Sequence, residues 1–356
     1  MDLSYRRMRV DDFAACVDII NSDPIIGPRY GPAIHLLPAV WSRLLGREAF
    51  RAFVIELSES SREKIIMVDI AVFVTDDFAG RVKTRPFMWI GPELTQRIAE
   101  GDSPLLSDHE VAAANSSGTL KCLLWSGCVH PQYVAEPEVL NFSVGAFFEV
   151  HSGYYLRELV AQAENECHLQ EVLASGGLVL CDRKGTYRSF CAEDVRGLWQ
   201  RPHVLGITRE LAERQIGTWI STIFRYQRPR LGLTRNRQRL LTAAMNGSTD
   251  PELAAELGVS LAVVKKSWRD IYDRVHDRIP NLFPSEGSRE RSGSERGRAK
   301  KHRLLSYVRE HPEELRPITR KPDPVASCAD TDHRGRQRGE LCSREVPPES
   351  NQSHLH

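Results

Sequence analysis

Residues 233–275 read LTRNRQRLLTAAMNGSTDPELAAELGVSLAVVKKSWRDIYDRV, and this stretch governs how the rest of the chain is understood. Asp250 followed by Pro251 marks a helix start: a side-chain acceptor for orphan N–H groups, then a residue with no N–H to satisfy. Leu253, Ala254 and Leu257 give the helix over 251–257 its packing side, and the small Ala254 lets a neighbour approach closely. Gly258 ends it, because glycine takes a left-handed turn at little cost. Ser260 then caps a second helix in which Val264, Trp268, Ile271 and Val275 form one buried stripe at helical spacing. Lys265, Lys266 and Arg269 fall on an adjoining face. Two helices joined by a tight turn, the second carrying bare cations, form a device for placing a helix in the DNA major groove.

Charge is distributed accordingly. The net charge of the 356 residues is +1, but residues 225–320 carry 21 Lys/Arg against 12 Asp/Glu, residues 1–224 carry 22 against 29, and residues 321–356 carry 5 against 6. A basic block behind an acidic region confines the expected nucleic-acid contact to the block. The apolar share of 41% is that of a globular protein. No apolar run approaches the roughly 18 residues of a membrane span, and no apolar h-region follows MDLSYRRMRVDDF, so neither membrane contact nor export is expected and the cytoplasm is the expected location. The eight cysteines, Cys16, Cys122, Cys128, Cys167, Cys181, Cys191, Cys328 and Cys342, include no C-x-x-C pair. Reduced thiols are therefore expected, and Cys122, Cys128 and His130 fit no zinc spacing.

Upstream, hydrophobic periodicity predicts a strand and helix over Tyr5–Ile20, a helix over Ile34–Leu45, and a hairpin of Phe50–Leu57 and Lys64–Val74 turning at SESSRE. Further strands are predicted at Leu120–Trp125, Leu140–Val150 and Gly177–Cys181, and helices at Pro92–Ala99, Ser107–Asn115, Tyr154–Ala174 and Leu211–Tyr226. Interleaved strands and helices make an α/β or α+β domain. The chain divides into this domain over 1–200, a connecting helix over 201–232, an all-α helix-turn-helix domain over 233–280, a flexible linker over 281–299, a basic helix over 300–319 and a disordered tail over 320–356.

On Leu233-Thr234, Leu241, Gly247, Glu252, Ala254, Leu257, Gly258, Ser260, Val264-Lys265 and Ile271-Tyr272, residues 233–275 resemble the LuxR/FixJ-type helix-turn-helix of bacterial transcription regulators. The resemblance implies double-stranded DNA as partner, a homodimer, and contacts from Lys265, Lys266 and Arg269 with Ser260 and Val263 near the DNA backbone. Arg237 and Thr249-Asp250 depart from the family pattern, and HDRIPNLFP stands where its short fourth helix does. The N-terminal order resembles the GNAT acyltransferases. Tyr5–Ile20 is similar to their first strand and helix, Phe50–Val74 to their central hairpin, and Gly145–Ala161 to a strand running into the cofactor-facing helix. That resemblance implies acetyl-coenzyme A, yet the glycine-rich anion cradle is missing and only Gly153 stands there. A GNAT-like sensor of an unknown small-molecule or protein effector, without catalysis or cofactor, is therefore expected, with an attached acyltransferase as the alternative. His151, Tyr154 and Tyr155 are the candidate polar ligand site.

Overall fold

Seven strands, β1 (Leu3–Arg7), β2 (Phe50–Glu59), β3 (Arg62–Phe73), β4 (Leu120–Val129), β5 (Leu156–Ala163), β6 (Leu178–Val179) and β7 (His203–Thr208), make one sheet in the order β1-β2-β3-β4-β5-β7-β6. The computed structural model describes residues 1–59, 62–84, 89–163, 166–179, 203–245, 247–283 and 293–319. All neighbouring strands run antiparallel except β4 and β5. Their parallel pairing covers only Leu120–Leu123 against Leu156–Val160. Beyond it β5 continues along β7 through Ala163 while β4 continues along β3 through Val129, so the two strands part at their C-terminal ends.

The central strands read as nearly continuous apolar runs because helices cover both faces. On one side lie α1 (Phe13–Ser22), α2 (Ile26–Tyr30), α3 (Leu37–Leu44), α4 (Asp76–Thr84), α5 (Ile90–Ala99) and α6 (Asp108–Ser117). Their buried Ile20, Leu37, Trp41 and Leu94 pack with Val54, Val68, Ile70 and Val72. On the other side α7 (Pro137–His151) sets Val139 and Ala146 against Phe53, Ile55, Leu57 and Ile66.

Three predicted elements are corrected. Leu140–Val150 is helix, not strand: its aromatic and β-branched residues mimic a buried strand, but Pro137 in the first turn and buried Val139, Ser143 and Ala146 give it helical spacing. Gly145–Ala161 therefore runs from helix into strand, the reverse of the expected order. The predicted helix Tyr154–Ala174 is β5 followed by α8 (Glu166–Ala174), because ladders on both sides claim Leu156–Ala163. Leu211–Tyr226 is not one helix but the short α9 (Arg209–Ala212) and α10 (Trp219–Thr222), separated by Gly217 at φ +95°. The hairpin and the strand from Leu120 stand as predicted, and of the helix predicted over Ile34–Leu45 the part Leu37–Leu44 is α-helix, while Gly31–Leu36 winds as a tighter 3-10 segment. Cys181, Cys191, the segment 284–292 and the tail from 320 lie outside the described residues.

A second hydrophobic cluster gathers Leu240, Leu241, Leu253, Val264, Trp268, Ile271, Val275, Leu304, Tyr307 and Val308. It unites α11 (Arg235–Ala244), α12 (Asp250–Leu257), α13 (Leu261–Arg278) and α14 (Gly293–Glu310). Met1–Thr319 is one compact unit, and a strap after α14 joins the two clusters. Its Glu314, 0% exposed, accepts from the Arg230 and Leu231 N–H groups and the Tyr307 hydroxyl at 2.8–3.0 Å. Gln238 of α11 donates to the carbonyls of Glu314 and Arg316 at 3.2 and 2.7 Å. On the sheet side Asn115 donates to the Pro317 carbonyl at 2.8 Å and accepts from the Tyr155 N–H at 2.7 Å. Arg235 adds an ion pair with Asp108 and another with Glu48 at 3.3 Å. No helix among the described residues is long and apolar enough to cross a membrane.

Replacing Glu314 by Ala leaves buried donors unsatisfied, a loss on the order of 3 kcal/mol. The urea midpoint of the whole chain falls accordingly, whereas Glu314→Gln, which keeps an acceptor oxygen, loses less.

Candidate functional site

The bihelical turn is built as its residues dictate, with one correction. Thr249, not Asp250, is the N-cap of α12: its N–H and hydroxyl both donate to the Glu252 carboxylate at 2.7 and 2.8 Å, which holds Glu252 below the usual carboxylate range. Asp250 instead accepts from the Trp268 indole N–H at 3.1 Å and pairs with Lys301 at 3.3 Å, tying α12 to α13 and α14. Gly258 takes φ +65° and stops α12, and the Ser260 hydroxyl accepts from the Val263 N–H to start α13. Val264, Trp268, Ile271 and Val275 are buried as one stripe. Ser260, Val263, Lys265, Lys266 and Arg269 are all exposed, Val263 by 47%, and the three cations have no ion-pair partner among the described residues. A capped helix thus presents its first two turns to solvent with apolar and cationic side chains together. Arg237 pairs with Asp270 at 2.8 Å and braces α11 against α13. Lys301 also sits 4.9 Å over the Trp268 ring, so α14 belongs to the same packed body.

His151, Tyr154 and Tyr155 stand at the end of α7 and the start of β5 rather than at a helix start. His151 is 0% exposed. Its Nδ1 meets the Phe147 carbonyl at 2.8 Å, and burial pushes it down to about 3, so it is neutral with Nδ1–H donating and Nε2 left as an acceptor. That Nε2 has no hydrogen-bond partner among the described residues, and the hydroxyl of Tyr154, 1% exposed, has no acceptor for its proton, with only the Arg316 guanidinium beside it. Tyr155 turns away, stacked on Tyr226 at 4.3 Å with Arg209 3.9 Å from its ring. The structure therefore groups His151 with Tyr154 and separates Tyr155 from them.

Two residues that sequence reasoning passed over join this group, and a third, Asp69, is buried in the same sheet. Arg51 on β2 lies 5.6 Å from the Tyr154 ring, and Arg316 of the strap lies 4.6 Å from it. Arg316 donates to the Ser152, Val150 and Glu149 carbonyls at 2.8, 3.0 and 3.3 Å, satisfying the C-terminal end of α7. Asp69 on β3 is buried beside Gly127, and burial alone pushes it up to about 8. The available signal was a charge inside an apolar strand, Arg51 in FRAFVIEL and Asp69 in IIMVDIAVF.

The parting of β4 and β5 leaves Leu124–Val129 and Ala161–Ala163 unpaired with each other. The link from β4 to α7, HPQYVAE over 130–136, contains no glycine, and Glu136 and Glu138 stand at the α7 N-terminus, Glu138 pairing with the N-terminal amine at 2.8 Å. The pyrophosphate of acetyl-coenzyme A does not fit such an acidic helix start. Cys16, Cys122 and Cys128 are buried, and among the described residues no group of three or more His, Cys, Asp or Glu is placed to hold a metal.

No family model matches the chain, and no curated protein matches it. Among solved structures, a chimera of the Vibrio cholerae spermidine N-acetyltransferase is 12% identical over 61% of this chain and 99% of its own, with a TM-score of 0.33. An uncharacterized protein from Bacillus halodurans is 9% identical over 62% and 92%, with a TM-score of 0.34. A histone acetyltransferase and related acetyltransferase from Corynebacterium glutamicum is 11% identical over 58% and 95%, with a TM-score of 0.30. Overlaps this loose assign the chain neither a family nor an activity.

Asp69 yields a pH-dependent prediction. An unfolded aspartate ionises near 4 and the folded one near 8, so between these values the folded state keeps a proton that the unfolded state has released. Stability therefore falls as pH rises across that window. Asp69→Asn removes the penalty and raises the melting temperature at pH 8, with a much smaller gain at pH 4.5, as scanning calorimetry at the two pH values will register.

Proposed function

We propose that this chain is a DNA-binding transcriptional regulator in which α13 reads the major groove and the α/β region serves as a sensor domain on an acyltransferase-like scaffold. The observation that carries the reading is the exposed start of α13, where Ser260, Val263, Lys265, Lys266 and Arg269 share one uncovered surface above a buried stripe. Cations without local carboxylate partners are suited to phosphates and base edges, and an exposed Val263 is suited to a thymine methyl or a sugar. The exposed Arg298, Arg303 and Arg309 of α14 extend positive charge beyond α13 on the same packed body. A homodimer would supply the second half-site that useful operator affinity requires.

A second reading, an acyltransferase carrying this helix-turn-helix, is favoured by one observation, the divergence of β4 from β5. The acidic α7 start weighs against it. Acetyl-coenzyme A added to the whole chain separates the two: a melting-temperature rise supports the second reading, and none supports the first.

The leading reading predicts that Lys265→Ala with Arg269→Ala weakens binding to promoter fragments and flattens the dependence of log affinity on log salt by about 0.9 for each phosphate no longer neutralised. Fluorescence anisotropy across a salt series measures both. Unchanged affinity and slope would remove α13 from the interface.

A further inference from the structure

Arg51 is 8% exposed, yet it makes no hydrogen bond or ion pair with any described residue, and its Nε is fully enclosed. A buried guanidinium without a carboxylate costs several kcal/mol unless something compensates it. The described surroundings do not. Arg316 brings a second guanidinium to the same tyrosine, and its own donors are taken up by the α7 carbonyls. Arg7, on the neighbouring strand and exposed, is pulled down to about 10 first of all by Arg51, a pull that solvent tempers. The acids nearby are committed elsewhere: Glu48 pairs with Arg235, and Asp69 is held toward its neutral form. The Tyr154 hydroxyl, 1% exposed, has only the Arg316 guanidinium, a donor, beside it and so keeps a proton with no acceptor, and His151 Nε2 is an enclosed acceptor.

We propose that Arg51 and Tyr154 form a binding site for an oxyanion, the carboxylate or phosphate group of a small molecule, with the charge of Arg316 beside it and His151 Nε2 accepting from a hydroxyl next to that group. A guanidinium with free donors and a phenol proton match the lone pairs of a planar carboxylate or a phosphate. His151 Nε2, as an acceptor, selects ligands that carry a donor next to the anion, such as a hydroxycarboxylate or a singly protonated phosphate. This gives the proposed sensor domain a ligand class. It rests on that reading only for its consequence, since the site is read by ligand binding and α13 by DNA binding.

The test is a thermal-shift and calorimetric titration of the whole chain with inorganic phosphate and, separately, with citrate, at constant ionic strength set by chloride. The expected result is a rise of several degrees over chloride from at least one anion, and the one that gives it distinguishes phosphate from carboxylate. Arg51→Met should abolish the rise while leaving the anion-free melting temperature equal or higher, because an uncompensated buried charge has been removed. If Arg51→Met does not fold, Tyr154→Phe, which removes only the hydroxyl, should weaken binding about tenfold. No stabilisation by either anion, or an undiminished shift in both variants, overturns the proposal. Loss of DNA binding with the anion shift intact would overturn the reading of α13 and leave this site standing.

Discussion

The buried carboxylate of Glu314 holds this architecture together. Three donors converge on it, two from the backbone at 230–231 that leads into the helical region and one from Tyr307 of α14. A carboxylate accepting several hydrogen bonds in a closed site fixes the strap in one path. The strap, so fixed, hands Arg316 to the end of α7 and the Pro317 carbonyl to Asn115. Gly153, at φ +82°, lets the strap backbone pass where a side chain would collide: a Cβ there would stand 2.4 Å from the Glu313 nitrogen. Sheet and helices are thereby one body in which an event at the end of α7 is two hydrogen-bonded steps from α11.

The helical region was legible in sequence to the level of single caps because its signals are local. A glycine at a left-handed position, a serine cap and apolar residues at helical spacing act within a few residues of each other. The cap of α12 was displaced by one residue, from Asp250 to Thr249, since Thr249 with Glu252 satisfies the helix start and frees Asp250 for Trp268 and Lys301. No local rule could assign that long-range use of Asp250.

The sheet was less legible for the opposite reason. Leu140–Val150 and Leu156–Ala163 have similar apolar content, and which becomes helix depends on the ladders that β4 and β7 offer. Likewise His151 and Tyr154 stood out as polar residues near a glycine, but their companions Arg51 and Arg316 are separated from them by a hundred residues or more. Only the place of β2 in the sheet and the course of the strap bring them together. The rim of a candidate site was readable, and its charge was not.

The central claim is that α13 lies in the major groove. It is tested most directly by selecting genomic fragments with the whole chain and probing the bound sites with dimethyl sulfate, which methylates guanine N7 in that groove. The account predicts an enriched sequence whose guanines are protected across one groove segment, or two segments a helical turn apart if the chain pairs. Enrichment of no sequence, or binding that leaves every guanine N7 as reactive as in free DNA, would contradict it.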